Sequence, residues 1–158
     1  MMWSKRDRER ELRALLAAIE AADKPRGSLV AKILREACPR LQSSAHSSEV
    51  ADRLFAAHAW LDLGVWLVGW ELPDWSLHRL SCDDRRWSCM ITLRGLALNW
   101  VEDVVEYQHD NLILALFGAL VEAQRLRVNE PASSNVVSFR TTRTNGHMPG
   151  GSRSRSDE

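Results

Sequence analysis

The twelve residues from Ala59 to Trp70 are apolar on nearly every side of a helix. Asp62 is their only charge, and they hold three of the chain's seven tryptophans. A helix that is apolar all round has to be covered on all sides. The stretch is too short to span a bilayer, which takes about 20 residues. It therefore predicts a layered fold, in which a sheet and other helices, or a second protein chain, pack around this segment.

Helical periodicity places this stretch in one of four predicted helices, because apolar residues recur at spacings of three and four. The predicted helices are 4–23, 29–38, 49–70 and 111–127. Each is preceded by a residue whose side chain can accept a hydrogen bond from the first helical turn. These predicted N-caps are Ser4, Ser28, Ser47 or Ser48, and Asp110.

The hydrophobic period changes to two between residues 76 and 93, which predicts a β-hairpin of strands 76–82 and 87–93 around a four-residue turn, Asp83 to Arg86. The opposed pairs are Cys82 with Trp87, Leu80 with Cys89, and His78 with Ile91. One face then collects the apolar side chains of Leu80, Cys82, Trp87, Cys89, Ile91 and Leu93. A slip of one residue would invert the two faces, so this segregation supports the register.

Residues 96–107 fit a helix in part and a strand in part, and we favour a third strand, because a lone two-stranded hairpin is marginally stable in water. From residue 128 onward the chain has little to bury, which predicts a disordered tail. The sequence thus predicts an α+β fold with three parts. They are a helical N-terminal arm at 1–46, an α+β core at 47–127 and the tail at 128–158.

Two stretches resemble a known family, the phage ABA sandwich domains. Ala59 to Leu77, AWLDLGVWLVGWELPDWSL, resembles the opening of these domains, where a helix ends in Leu-Pro-Gly-Trp and leads into a strand. His109 to Ala123, HDNLILALFGALVEA, resembles their closing helix. The likeness covers about residues 55–127 and departs from the pattern at Asp74, where Gly is usual, and at Asn111, where Thr is usual. It implies a helix–sheet–helix layering and an ancestry in mobile elements, and it implies no activity.

The charge of the chain is unevenly distributed, although its formal net charge is zero. Residues 1–46 carry ten Lys and Arg against six Asp and Glu, whereas residues 47–127 carry seven against twelve. The three cysteines are an odd count, and the N-terminus is charged where a secretory signal would be apolar. These features predict a soluble cytoplasmic protein in a reducing compartment, without membrane association.

Two groups of side chains are candidates for a chemical site, and neither pattern predicts one. A zinc set or a cysteine–histidine nucleophile could use His78, Cys82, Cys89 and His109. The hairpin alone explains the cysteine spacing, and a thiol on an apolar face lacks electropositive surroundings. An acidic patch suits a solvated face better than a cation site; it comprises Glu102, Asp103, Glu106 and Asp110. We therefore expect no catalytic residue, no metal and no cofactor, and a small hydrolase lacks any recognised motif.

The basic side chains of the first helix are candidate phosphate contacts. They are Lys5, Arg6, Arg8, Arg10 and Arg13. Arg153 and Arg155 in the tail add to them. Asp7, Glu9 and Glu11 interrupt the basic run and weaken its field. Weak nucleic-acid binding is therefore the alternative function.

The three tryptophans of the apolar stretch form a candidate partner surface; they are Trp60, Trp66 and Trp70. The apolar helix is wider than one small core can cover. We therefore predict a non-enzymatic accessory protein of phage-like origin that binds another protein or itself. We also expect the N-terminal helices to cover part of this surface, because the apolar face of the first helix otherwise has nothing to pack against.

Overall fold

The computed structural model describes residues 4–93 and 104–129, and these form an α+β fold, as the sequence predicts. The helices are α1 (Lys5–Ala21), α2 (Gly27–Ala37), α3 (Ala45–Ala56), α4 (Trp60–Glu71) and α5 (Leu112–Asn129), with a 3-10 turn at Leu41–Ser43. The strands are β1 (Trp75–Asp83), β2 (Arg86–Leu93) and β3 (Val104–His109). The predicted strand segment 96–103 and the tail from residue 130 lie outside the described residues. Helix α5 continues through Asn129, two residues beyond the predicted end of this helix at 127.

The sheet is antiparallel with strand order β1-β2-β3. At the tip of the hairpin Asp84 and Arg85 have φ values of 47° and 66°. Positive φ at both central residues gives a turn whose twist matches that of the flanking strands. The predicted register at this end is confirmed, since Cys82 lies opposite Trp87.

The predicted pairing of His78 with Ile91 is wrong. The ladder shifts between Leu77 and Arg79, so that Leu77 takes the position opposite Ile91. An extra residue in one strand is a β-bulge, which the alternation of a single sequence does not reveal. The bulge lets Leu77 pack against the core while His78 stays exposed.

Helix α5 is the centre of the fold. It packs against β2 and β3 on one side and against α1, α2 and α4 on others. Every residue from Leu114 to Val121 is buried. The approach to β3 is close at Gly118, where an added Cβ would lie 2.1 Å from Cε1 of Tyr107. Gly118 therefore sets how near the helix can lie to the sheet.

Helix α1 buries Leu12, Leu15 and Ile19, and its principal packing partner is α5. This packing differs from the expectation that the N-terminal helices cover the tryptophan-bearing helix, because α1 packs on α5 and, from residues 1–46, Arg40 contacts Trp70. The principal packing partners of α4 are α5, α3 and β1. Helix α1 packs on α5 because α5, which lies on β2 and β3, has a further apolar side that the sheet does not cover.

The predicted helix 49–70 is two helices. Residue His58 has a φ of 52°, and the N–H groups of His58 and Ala59 donate to the carbonyls of Phe55 and Leu54. This pair of bonds around a left-handed residue ends α3. Histidine is one of the non-glycine residues that adopt a left-handed conformation more often than others. Because the residue is not glycine, the sequence pattern does not indicate that a helix ends here.

Three of the predicted caps need correction. Ser44, not Ser47 or Ser48, caps α3, and its hydroxyl accepts from the N–H of Ser47. Arg26 precedes α2 without a side-chain cap, so Ser28 lies inside that helix. At α5 the capping side chain is Asn111 instead of Asp110. Ser4 caps α1, as predicted.

Candidate functional site

The inner face of α4 is fixed by its contact with α5. Leu63, Leu67 and Val68 are buried there, together with Gly64. A Cβ added to Gly64 would lie 2.5 Å from Cδ2 of Leu116, so the two helices approach closely at that point. The contact settles which side of α4 faces away from the core.

The opposite side of α4 is open, and we call it the α4 outer face: Leu61, Asp62, Val65, Trp66, Gly69 and Trp70. Leu61 and Val65 are 39% and 43% exposed, and they are the exposed large hydrophobic residues of the described chain. Apart from its chain neighbours and the nearby backbone of its own helix, no atom of the described residues lies within 4 Å of a Cβ built on Gly69. Asp62 is exposed and is the only charged member of this face.

Two tryptophans stack along one edge of this face. The rings of Trp66 and Trp70 are 5.9 Å apart between centroids and inclined by 3°. The guanidinium carbon of Arg40 lies 5.6 Å from the centroid of Trp70, within the range of a cation–π contact. The indole N–H of Trp70 is buried and has no hydrogen-bond acceptor among the described residues. Stacking and the arginine hold this edge in a defined shape.

Trp60 lies elsewhere. Its ring meets Phe55 edge to face at 5.1 Å and stacks on His58, also at 5.1 Å. These contacts close the corner between α3 and α4. Of the three predicted surface tryptophans, the structure therefore brings Trp66 and Trp70 together and separates Trp60 from them.

Arg40 is positioned by a buried carboxylate that the sequence pattern does not reveal. Glu71 accepts the backbone N–H groups of Arg40 and Leu41 at 3.2 Å and 2.7 Å. Gln124 of α5 donates to the same carboxylate at 3.3 Å. Burial raises the pKa of Glu71 above its ordinary value, against the lowering effect of these hydrogen bonds. The carboxylate ties the segment after α2 to the end of α4.

The candidate phosphate contacts on α1 do not share one surface. Arg10 and Arg13 form ion pairs of 2.7 Å with Asp7 and Glu9 of their own helix. Arg8 is half-buried and borders a cavity toward α5, whereas Lys5 and Arg6 are exposed in the first turn. The tail residues Arg153 and Arg155 lie outside the described residues. The prediction of phosphate contacts by this group stays a prediction.

Of the side chains considered for metal or nucleophilic chemistry, Cys89 and His109 have structural surroundings, whereas His78 and Cys82 are exposed. The prediction that Cys82 belongs to the buried apolar face of the hairpin is therefore wrong. Burial raises the pKa of Cys89 to about 12, so this thiol is protonated at neutral pH. The two ring nitrogens of His109 face the carbonyl of Ile19 and the N–H of Asn111, at 3.1 Å and 2.9 Å. Within 4–93 and 104–129 no group of three or more His, Cys, Asp and Glu side chains is arranged to hold a metal ion.

The acidic patch is dispersed where the structure describes it. Glu106 hydrogen-bonds to Ser88, and Asp110 pairs with Arg86 at 3.3 Å. Glu102 and Asp103 lie outside the described residues.

Comparison with protein-family models, curated proteins and solved structures gives no match for the chain. The resemblance to phage ABA sandwich domains therefore stays a prediction. Among the described helices, none is both long enough and apolar enough to cross a membrane. Within the described part of the chain, the α4 outer face combines the exposed large hydrophobic residues Leu61 and Val65 with the stacked rings of Trp66 and Trp70.

Proposed function

We propose that the chain is a non-enzymatic interaction protein of the phage-like accessory type, and that it binds a second copy of itself through the α4 outer face. The observation that carries this proposal is the exposure of Leu61 and Val65 beside the stacked Trp66 and Trp70. Aromatic and aliphatic residues exposed together on a rigid element are the usual centre of a protein interface.

The α4 outer face is self-complementary in charge. Its carboxylate, Asp62, lies in the first turn of α4, and the guanidinium of Arg40 lies over Trp70 in the last turn. In an antiparallel pair of α4 helices, each end of one helix meets the opposite end of the other. Asp62 of each copy then lies near Arg40 of the other, which a twofold axis repeats.

The shape of the face supports the same arrangement. Asp62 and Gly69 are seven residues apart on one stripe, about 10 Å along the helix axis. When two antiparallel helices cross midway between these positions, Asp62 of one copy lies against Gly69 of the other. The open space around Gly69 leaves room for the approaching helix. Val65 lies close to the crossing point.

Sedimentation velocity over a wide range of concentrations tests the proposal. We expect the wild-type protein to shift from monomer to dimer as its concentration rises. Val65→Arg places a charge at the crossing point and should keep the protein monomeric. Ala17→Arg, an exposed position on α1, is the matched control and should dimerise like the wild type. Equal dimerisation of the two variants, each folded by circular dichroism, would place the interface elsewhere.

A further inference from the structure

A cavity between α1, the segment after α2, and α5 is lined by three arginines. Arg8, Arg40 and Arg127 come from these three elements and border a space of about 240 Å³. Gln124 and the apolar side chains of Leu12 and Val128 complete much of the wall. None of the described lining residues is acidic. Positive charge therefore converges on one concave site from three directions.

These arginines differ from most other arginines of the described chain, although Arg6, Arg79 and Arg85 also form no ion pair within it. Most of the others are in ion pairs; they are Arg10, Arg13, Arg26, Arg35, Arg53, Arg86 and Arg125. In contrast, Arg8, Arg40 and Arg127 form no ion pair with a carboxylate within 4–93 and 104–129. Three arginines that border one cavity without such a partner give the site a net positive charge, which a bound anion would offset.

The buried carboxylate of Glu71 interacts electrostatically with Arg40, but it carries one charge and cannot offset all three arginines. Its oxygens accept from the backbone N–H groups of Arg40 and Leu41 and from the side chain of Gln124. No guanidinium group of the three forms an ion pair with it. Arg8 also borders a second cavity with Glu11, Arg35 and Glu36, where Arg35 pairs with Glu36 at 3.5 Å. Of the two acidic side chains that line this second cavity, Glu11 is the one that is not paired with Arg35.

Two of the three guanidinium groups are held in place by contacts that leave donors free. Arg127 donates one N–H to the carbonyl oxygen of Glu71 at 2.9 Å, and a guanidinium carries five N–H donors. Arg40 lies over the ring of Trp70. A ligand that meets pre-positioned donors loses less side-chain entropy on binding.

We propose that this cavity binds the phosphate group of a small phosphorylated molecule. A phosphate monoester carries close to two negative charges at neutral pH and three acceptor oxygens. A carboxylate is planar, carries one charge and is satisfied by a single guanidinium. Three arginines that border the cavity from three segments can together supply the charge and the donors that a tetrahedral dianion needs. Arg40 borders this cavity and also contacts Trp70 of the α4 outer face.

Isothermal titration with phenyl phosphate and benzoate tests this assignment on the full chain, because the two probes share a ring and differ in the anion. We expect phenyl phosphate to bind at least about tenfold more tightly than benzoate. Arg8→Gln should weaken phenyl phosphate binding about tenfold or more, the value of one charge-assisted hydrogen bond. Arg6→Gln, two residues away and outside the cavity, should change it less than about twofold.

Circular dichroism verifies that both variants are folded. Equal affinity for benzoate and phenyl phosphate would overturn the phosphate assignment, and so would equal losses in the two variants. Absence of binding by the wild type would overturn the site itself. A single-stranded DNA oligonucleotide distinguishes the other source of phosphate. Tighter binding of the oligonucleotide than of phenyl phosphate, with the same loss in Arg8→Gln, would overturn the assignment to a small ligand.

Discussion

Helices α4 and α5 are both apolar on nearly every side, yet the fold treats them differently. Helix α5 is covered by the sheet and by α1, α2 and α4, and it is buried at every position from Leu114 to Val121. Helix α4 is covered on one side and open on the other, where Leu61 and Val65 are exposed. A helix that is apolar on nearly every side is thus predicted to be buried on all sides. The pattern does not show whether the same chain or a second chain buries it.

The glycines of the two helices mark the same difference at atomic scale. Gly118 of α5 lies against the ring of Tyr107, and Gly64 of α4 lies against Leu116. Gly69, on the α4 outer face, has open space at its Cβ position, with no described side chain beyond its chain neighbours within 4 Å. Close packing within the chain requires glycine at positions 118 and 64. Gly69 leaves open space on the surface where we propose that a second copy binds.

The largest effect that separates these regions is expected at Gly118. In Gly118→Ala the new Cβ would overlap the Tyr107 ring, with its nearest contact at 2.1 Å. Helix and strand must then move apart, so we expect a loss of about 3 kcal/mol in the free energy of unfolding. Urea denaturation measures it. Gly69→Ala is the control, and it should gain about 0.5–1 kcal/mol from helix propensity in the monomer. Similar values for both variants would contradict the contrast between a covered and an open helix.

A smaller effect, seen only at alkaline pH, tests the packing of Tyr107 under the buried helix α5. Tyr107 is the only tyrosine of the chain. Its pKa is raised to about 12, mainly by burial and secondly by the hydrogen bond of its hydroxyl to Glu20. Because the folded pKa lies above that of the unfolded chain, this group's stabilisation is complete below about pH 10. It is lost as the pH rises through about 12.

Ultraviolet absorbance at alkaline pH follows the tyrosinate directly. Glu20→Gln should lower the pKa of Tyr107, since the Glu20 carboxylate accepts a hydrogen bond from the neutral hydroxyl and its charge disfavours the tyrosinate. The pKa should nevertheless stay above 10, the ordinary value, because burial is the larger cause. A tyrosine that titrates at its ordinary value in the native protein would show that the ring is not packed under α5.

Much of the fold follows from local sequence patterns. The alternation and the turn residues predict the pairing of Cys82 with Trp87, since both signals act over a few residues. The bulge at His78 and the helix break at His58 were not predicted, because neither carries a glycine or proline signal. The docking of α1 on α5 was missed for another reason. It depends on which of several apolar faces meet, which periodicity does not specify.

The candidate site divides in the same way. Helical spacing predicts that Trp66 and Trp70 lie together, four residues apart. The sequence does not predict that Arg40 reaches Trp70, because this contact depends on the buried Glu71 more than thirty residues away. The convergence of Arg8, Arg40 and Arg127 is likewise a product of tertiary packing. Arginines from three separate segments carry no shared local signal.

The most direct test of the α4 outer face is a charge exchange measured by sedimentation equilibrium. Asp62→Arg and Arg40→Asp each place like charges together twice in the antiparallel dimer, so each should weaken dimerisation by about tenfold or more. Combining both substitutions restores the opposite charges, and the dimer should return toward the wild-type affinity. A wild-type protein that stays monomeric at every concentration would contradict the account. A dimer that neither single variant weakens, or that the double variant does not recover, would contradict the antiparallel pairing of α4.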